Sequence, residues 1–159
     1  MLIGAAASGK PTAAQKIAAN NNAVIISTDR IRAALYGAEQ IQGNWNDIEA
    51  VLYDRIKNAI KQNKNIILDS THFKKEYRAK IIKNFAKYSE FSAYYFNYPF
   101  ALIYSRNKYR ARRVPFDVLV AMYEHLTKFL IILARYSFLK CVLSKIIFLF
   151  CLIAFLMRL

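Results

Sequence analysis

The chain has 159 residues and a formal net charge of +14, from 24 Lys and Arg against 10 Asp and Glu. This length suits one domain with a buried core, and the charge favours a phosphate-rich partner only weakly, since lysines on solvated helix faces give the same excess. The N-terminus lacks the basic leader of a signal peptide, and Cys141 and Cys151 have no metal-ligand companions and need no oxidising compartment. We therefore expect a cytoplasmic protein, or a membrane-associated one if its apolar C-terminal tail is an anchor.

The first predicted element is a short apolar strand, residues 1–3, which leads into Gly4-x-x-x-x-Gly9-Lys10 and then a helix-forming run at 13–19. A strand, this loop and a helix in that order are typical of a phosphate-binding P-loop. Gly4 and Gly9 permit the tight turn, the loop N–H groups and the helix N-terminus face the anion, and Lys10 adds a positive charge. The sequence thus predicts an ATP site made of Gly4, Ala5, Ala6, Ala7, Ser8, Gly9, Lys10, Pro11 and Thr12.

Position 11 departs from the P-loop pattern, which places Ser or Thr after the lysine as a ligand of Mg²⁺. Pro11 has neither a hydroxyl nor an N–H, so one metal ligand and one phosphate donor are missing, although proline is tolerated in a first helical turn. Thr12 carries the next hydroxyl, about 100° further round the helix, and can reach the metal only by a local shift. A glycine turn that joins strand to helix without a ligand is the alternative.

Strands and helices continue to alternate along the chain. Strands are predicted at residues 23–27, 65–69 and 91–96, and helices at 28–35, 44–63, 74–88, 100–109 and from Pro115 to about Leu126. This alternation predicts an α/β fold, a P-loop NTPase with three α/β/α layers and a mostly parallel sheet whose first strand is truncated. Because ligands bind at the carboxyl ends of such strands, Gly4, Asp29 and Asp69 should converge on one crevice.

Phosphoryl transfer needs a base, a metal and positive charge beside the phosphate cradle, and the predicted crevice offers candidates. Asp29 can accept a hydroxyl proton or act as a helix N-cap. Arg32 can hold a substrate phosphate or remain a solvated surface side chain, and Asp69 can hold a metal-bound water or the acceptor, or cap a helix. His72 is better interpreted as a hydrogen-bonding loop residue than as a general base.

Four arginines, Arg106, Arg110, Arg112 and Arg113, lie between two predicted helices. A solvated charge run is the usual explanation of such a cluster. Here the position is that of a loop that closes over nucleotide in small kinases, so we expect a lid in which Arg106 contacts the nucleotide. An arginine aimed at the transferring group would offset charge that develops in the transition state.

The succession of motifs resembles the small P-loop kinases related to polynucleotide 5′-kinase, often described as AAA-type ATPases. The resemblance covers about residues 1–128 and is carried by residues 4–10, 27–32, 67–72, 105–110, 114–119 and 122–123. It implies ATP and Mg²⁺ as cofactors, and transfer of the ATP γ-phosphoryl group to a hydroxyl of a nucleic acid or a small molecule.

The resemblance also implies residue roles. Asp29 would be the base towards a 5′-hydroxyl, Arg32 would contact the substrate, and Arg110 would act on the transferring phosphate with Lys10. The family's Asp-x-Thr-Asn sequence appears here as residues 69–72, which end in His instead of Asn.

The remaining ligands are expected at the end of the third predicted strand and in the first turn after the P-loop. Asp69 and Thr71 would contact the substrate. Thr12 and Asp69 would be the protein ligands of the metal.

Residues 129–159 depart from the family, which would continue with a proline- and glycine-containing turn and a final strand. Residues 146–157 are twelve consecutive apolar residues. Extended back to residue 141, the stretch is seventeen residues long, which is marginal for a membrane span. We therefore predict a P-loop kinase-like domain at 1–128 and an apolar basic tail at 129–159, which is either a membrane anchor or the product of a shifted reading frame. Two alternatives to an active kinase remain: a catalytically impaired ATP-binding protein, from Pro11, and a membrane-associated remnant, from the tail.

Overall fold

A computed structural model describes residues 1–137, with side chains as far as Lys128. The predicted tail from residue 138 onwards lies outside the described residues, and among residues 1–137 no helix is long and apolar enough to cross a bilayer. The elements in chain order are β1 (Leu2–Gly4), α1 (Lys10–Asn21), β2 (Ala23–Ser27), α2 (Thr28–Tyr36), α3 (Trp45–Lys61), β3 (Asn65–Asp69), α4 (Lys75–Phe85), β4 (Tyr94–Phe96), α5 (Phe100–Lys108) and α6 (Phe116–Ser137).

The strands form two parallel ladders. β1 pairs with β4, which sets Gly4 opposite Phe96, and β2 pairs with β3, which sets Ser27 opposite Asp69. The Gly4 N–H donates to the Thr71 carbonyl just beyond β3, at 3.2 Å, and so joins the two ladders at their carboxyl ends. The ends of β1, β2 and β3 therefore meet at one edge, as the parallel arrangement requires.

Side chains alternate between the two faces of these strands and bury each face against helices. On one face Leu2 and Ile67 pack with Ala14 of α1. The other face carries two clusters, one with α2, α3 and α4 and one with α5 and α6. Their buried members are Ile26, Ile31, Ile48, Leu52, Ile56, Leu68, Ile81 and Phe85 in the first, and Ile3, Ala5, Ile103, Leu119 and Leu126 in the second. The predicted three-layer α/β/α fold is confirmed.

Some predicted element ends differ from the structure. The fourth strand covers Tyr94–Phe96 instead of 91–96, because its partner β1 has only three residues to pair with. The last helix continues to Ser137 instead of ending near Leu126, since neither glycine nor proline interrupts residues 116–137. α1 begins at Lys10, so Pro11 lies within its first turn.

Candidate active site

Backbone geometry explains the two glycines of the P-loop. A Cβ at Gly4 would lie 2.8 Å from the Cβ of Phe96 and 2.8 Å from the Oγ of Ser8, so a larger residue would force β4 or the loop to move. Gly9 has φ of 83° directly before α1, in the left-handed region that favours glycine. Ala7 adopts a positive φ of 62° as well, which is uncommon for a residue with a side chain.

Lys10 lies inside the curve of this loop. Its Nζ donates to the carbonyl oxygens of Ala5 at 2.6 Å and Gly4 at 3.0 Å, and to the Oγ of Ser8 at 3.3 Å. Only 5% of the residue is exposed. Burial lowers the pKa of Lys10 to about 8, and the Asp69 carboxylate opposes that shift. The loop thus holds a buried ammonium group that lacks an anionic partner in direct contact among the described residues.

A cavity of about 460 Å³, here called the P-loop cavity, opens at the carboxyl ends of the strands. It brings together most of the predicted site residues: Ala6, Ala7, Ser8, Gly9, Lys10, Pro11, Thr12, Asp29, Arg32, Asp69, Thr71, Arg106 and Arg110. Gly4 and Ala5 do not line it, and instead supply the carbonyls that hold Lys10. A larger cavity of about 560 Å³ lies at the opposite ends of the strands, where Ala23 and Asn65 begin β2 and β3, away from this chemistry.

Asp29 lies in the first turn of α2, after Ser27 in the N-cap position. Its Oδ1 accepts from Nη1 of Arg32 at 2.8 Å, and its Oδ2 pairs with Nη1 of Arg112 at 3.2 Å. Arg112 also reaches Glu39, at 3.6 Å. Asp29 is therefore engaged with two arginines and is not the helix cap. Each of its oxygens keeps a second lone pair that can accept from a hydroxyl.

The oxygen donors near the P-loop fit Mg²⁺ only in part. Thr12 and Asp69 both line the cavity and carry the oxygen ligands that this ion prefers. Pro11 provides no ligand, and no group of three His, Cys, Asp or Glu residues in the described part of the chain could hold a metal alone. Burial raises the pKa of Asp69, with the Lys10 ammonium acting in the opposite direction. A metal here would therefore depend on the nucleotide phosphates for most of its ligands.

Asn107 fixes the arginine-rich loop between α5 and α6, and sequence reasoning assigned it no role. Its Nδ2 donates to the Val114 carbonyl at 2.8 Å, and its Oδ1 accepts from the Val114 N–H at 3.0 Å. Asn107 is buried in the last turn of α5, and a lone buried asparagine carries no sequence pattern that would have revealed it. This double contact closes the loop so that Arg110 and Arg112 line the P-loop cavity.

His72 is a structural residue of the loop after β3. Its Nδ1 donates to the Leu2 carbonyl at 2.8 Å, its φ is 45°, and burial lowers its pKa to about 4. The Nη1 of Arg78, another residue without a predicted role, donates to the carbonyls of His72 and Phe73, the latter at 3.0 Å. The interpretation of His72 as a hydrogen-bonding loop residue agrees with these contacts.

Comparison with known proteins gives a family and a fold. The sequence profile of a family described as "AAA domain" matches residues 1–129. No curated protein matches the chain.

Solved structures share the architecture. A chain of the Pnkp1/Rnl/Hen1 RNA repair complex aligns with a TM-score of 0.73 and 19% identity, over 80% of this chain and 43% of that one. A chain of a Pnkp1/Rnl/Hen1 complex aligns at 0.61 and 19%, over 72% and 40%. A gluconokinase from Sinorhizobium meliloti 1021 aligns at 0.50 and 17%, over 78% and 71%. The chain spans less than half the length of the first two, and at these identities the likeness concerns the fold alone.

Proposed function

The chain belongs to the AAA domain family and has the fold of the small P-loop kinases, and on this basis we propose that it transfers the γ-phosphoryl group of ATP to a hydroxyl. The observation that carries the proposal is the Lys10 ammonium, which is buried in the P-loop beside a cavity that Asp29 and four arginines also line. A buried cation in a glycine-containing loop at a helix N-terminus is an arrangement suited to a polyphosphate.

In the proposed reaction Asp29 accepts the proton of the acceptor hydroxyl. The acceptor oxygen forms a bond to the γ-phosphorus, the bond from that phosphorus to the bridging oxygen breaks, and ADP leaves with the electron pair. Lys10 and Arg110 offset charge on the transferring group, and Arg106 holds the nucleotide. Bound Mg²⁺, held by Thr12 and Asp69, would supply further charge neutralisation on the phosphates.

For the acceptor we propose a polynucleotide 5′-hydroxyl. The motif succession that resembles polynucleotide 5′-kinases supports it, as do the net charge of +14 and the shared fold with a chain of an RNA repair complex. A small polyol is the competing acceptor, since a gluconokinase has the same fold. Arg32 would hold the acceptor next to Asp29, because its guanidinium already contacts that carboxylate.

Pro11 favours a second candidate, an ATP-binding protein that transfers no phosphate. The residue lies in the first turn of α1 and lines the cavity, but it has no hydroxyl for the metal and no N–H for a phosphate. Such a protein would retain the phosphate cradle and lose the chemical step.

The substitution Asp29→Asn tests the proposed base. It keeps the size of the side chain and removes its capacity to take a proton, so we expect ATP binding to persist and transfer to fall by about 10²-fold or more. The measurement is transfer of labelled γ-phosphate from ATP to an oligonucleotide with a 5′-hydroxyl, beside ATP binding by calorimetry. The control is Asp54→Asn on the exposed surface of α3, and equal rates for the two variants would contradict the assignment of Asp29 as the base.

A further inference from the structure

A third cavity, of about 290 Å³ and here called the side cavity, adjoins the P-loop cavity. The two share wall residues at the carboxyl ends of β2 and β3 and at the start of α2, among them Thr28, Arg32 and Thr71. The far wall of the side cavity comes from α3 and α4. Its volume is near the lower limit for pockets that bind small molecules, so it suits one compact group more than an extended one.

Aromatic rings form much of that far wall. Trp45 at the start of α3 and Tyr77 of α4 are stacked, with ring centroids 5.0 Å apart and an interplanar angle of 28°. The Nζ of Lys74 lies 5.5 Å from the Tyr77 ring centroid and 6.0 Å from that of Phe73, which also lines the cavity. Because Trp45 and Tyr77 stack on each other, each ring has one face left, and such a face binds a planar base by stacking.

Trp45 is held in place by the turn before α3. The Tyr36 hydroxyl accepts from the Asn44 N–H at 3.0 Å, and the Asn44 side chain caps α3 by accepting from the Asn46 N–H at 3.0 Å. Gly43 permits this approach, because a Cβ there would lie 2.1 Å from the Tyr36 ring. Contacts within the chain therefore fix the aromatic wall in place.

Two polar atoms of the lining residues lack partners. Within the described part of the chain, Arg32 Nε and Trp45 Nε1 are buried side-chain donors without a hydrogen bond. Buried donors are nearly always satisfied in proteins, so two unsatisfied ones on residues that line one cavity are unusual. Both atoms are closed off from solvent, so a base carbonyl or ring nitrogen that enters the side cavity would satisfy them only after a small shift of these side chains.

In the described part of the chain, the side cavity has few free carboxylate acceptors for the hydroxyl groups of a polyol. A polyol needs side chains that accept from its hydroxyls, and the one carboxylate that lines this cavity among the described residues, Glu49, is paired with Lys80 and accepts from the Tyr53 hydroxyl at 3.3 Å. Stacking surfaces beside free donors match a heteroaromatic ring better than a chain of hydroxyls.

We propose that the side cavity binds the nucleobase that adjoins the reacting 5′-hydroxyl, and so selects nucleic-acid termini over alcohols without a flat ring. This inference rests on the proposed function, because Arg32 joins the side cavity to Asp29, the proposed base. Trp45 and Tyr77 are positioning residues in this account, and they set the affinity for the acceptor without entering the chemical step.

Trp45 makes a direct test possible, because it is the only tryptophan of the sequence. The full chain is titrated with a 5′-hydroxyl oligonucleotide and with the same oligonucleotide lacking its 5′-terminal base, while Trp45 fluorescence is recorded. We expect the intact oligonucleotide to quench Trp45 and to bind about tenfold more tightly, since stacking on an aromatic side chain contributes that much per base. The two ligands have the same phosphates, so charge alone cannot produce the difference. Equal affinities for the unmodified chain would overturn the proposal.

Two tyrosine variants locate the effect. Tyr77→Leu should remove the preference for the intact terminus, whereas Tyr88→Leu, an exposed tyrosine away from the side cavity, should keep it. Loss of the preference in both, or in neither, would contradict the assignment. Transfer assays on the same samples separate the two proposals. Base preference without transfer would refute the kinase activity alone, and transfer without base preference would refute the side cavity alone.

Discussion

At the scale of single residues, Lys10 favours phosphate binding, whereas Pro11 disfavours metal binding. Lys10 is charged at neutral pH although it is buried, and burial lowers its pKa to about 8. A bound phosphate would stabilise it and raise that pKa again. Pro11, the next residue, removes the hydroxyl that would usually hold the metal against the same phosphate.

The substitution Pro11→Ser should increase transfer by about tenfold or more, because it restores a hydroxyl ligand and an N–H donor at the start of α1. The expected gain is in kcat, with little change in ATP affinity, since Lys10 and the loop are unaltered. Steady-state kinetics at several Mg²⁺ concentrations measure it. Pro11→Ala is the matched control: it restores the N–H without the hydroxyl, and an equal gain from both variants would refute the role of the hydroxyl.

His72 should make the protein less stable in acid. Its pKa is about 4 in the folded chain and near 6.5 when unfolded, so only the unfolded state takes up a proton between these values. The free energy of unfolding should therefore fall by about 3 kcal/mol as pH decreases from 6.5 to 4. His72→Asn removes this titration and tolerates the left-handed φ of 45°, so urea unfolding should show a flatter pH profile. An unchanged slope would show that other groups cause the acid sensitivity.

At the scale of elements, the loop between α5 and α6 is held at its two ends more than along its length. Asn107 joins the end of α5 to Val114, and Arg112 reaches across to Asp29 and Glu39. Exposed ion pairs contribute little on their own, so the Arg112 contacts can open at small cost. The loop is therefore fixed at its base by Asn107, and its ion pairs to Asp29 and Glu39 are the contacts that break most easily.

The substitution Asn107→Ala should weaken this loop. It leaves the N–H and the carbonyl of Val114 without their partner, which costs about 1–3 kcal/mol of stability. We expect a lower melting temperature and slower transfer, since Arg110 would lose its position over the P-loop cavity. Asn58→Ala, an exposed asparagine on α3, serves as the control and should change neither. If Asn107→Ala has a lower melting temperature but transfers phosphate at the rate of the unmodified chain, the result would contradict a lid role for this loop.

Elements could be predicted well from the sequence where a local motif and the hydrophobic pattern around it agreed. The glycines and Lys10 lie between an apolar run and a helix, so the P-loop could be located before the structure was known. The roles of Asn107 and Arg78 could not be predicted, because they hold backbone carbonyls that lie close only after folding. The pairing of Asp29 with Arg112 also depends on the folded loop, and local spacing favoured a helix cap equally.

At the scale of the whole molecule, the described residues form one sheet-centred unit with most of the candidate site residues at one edge. The three apolar clusters hold β1, β2 and β3 together, and the family match ends at residue 129. The division into a domain at 1–128 and a tail at 129–159 remains a proposal. Helix α6 runs across that boundary as far as Ser137, so a shifted frame or an anchor would affect a helix that begins within the domain.

The most direct test of the central claim is transfer of labelled phosphate from Mg²⁺-ATP to a 5′-hydroxyl oligonucleotide by the unmodified chain, beside Lys10→Ala. The control is Lys16→Ala, an exposed lysine later in α1. We expect measurable transfer by the unmodified chain and by Lys16→Ala, with loss of both transfer and ATP binding in Lys10→Ala. ATP binding that is unchanged in Lys10→Ala would contradict the claim, because the buried ammonium would then have no part in holding the phosphates.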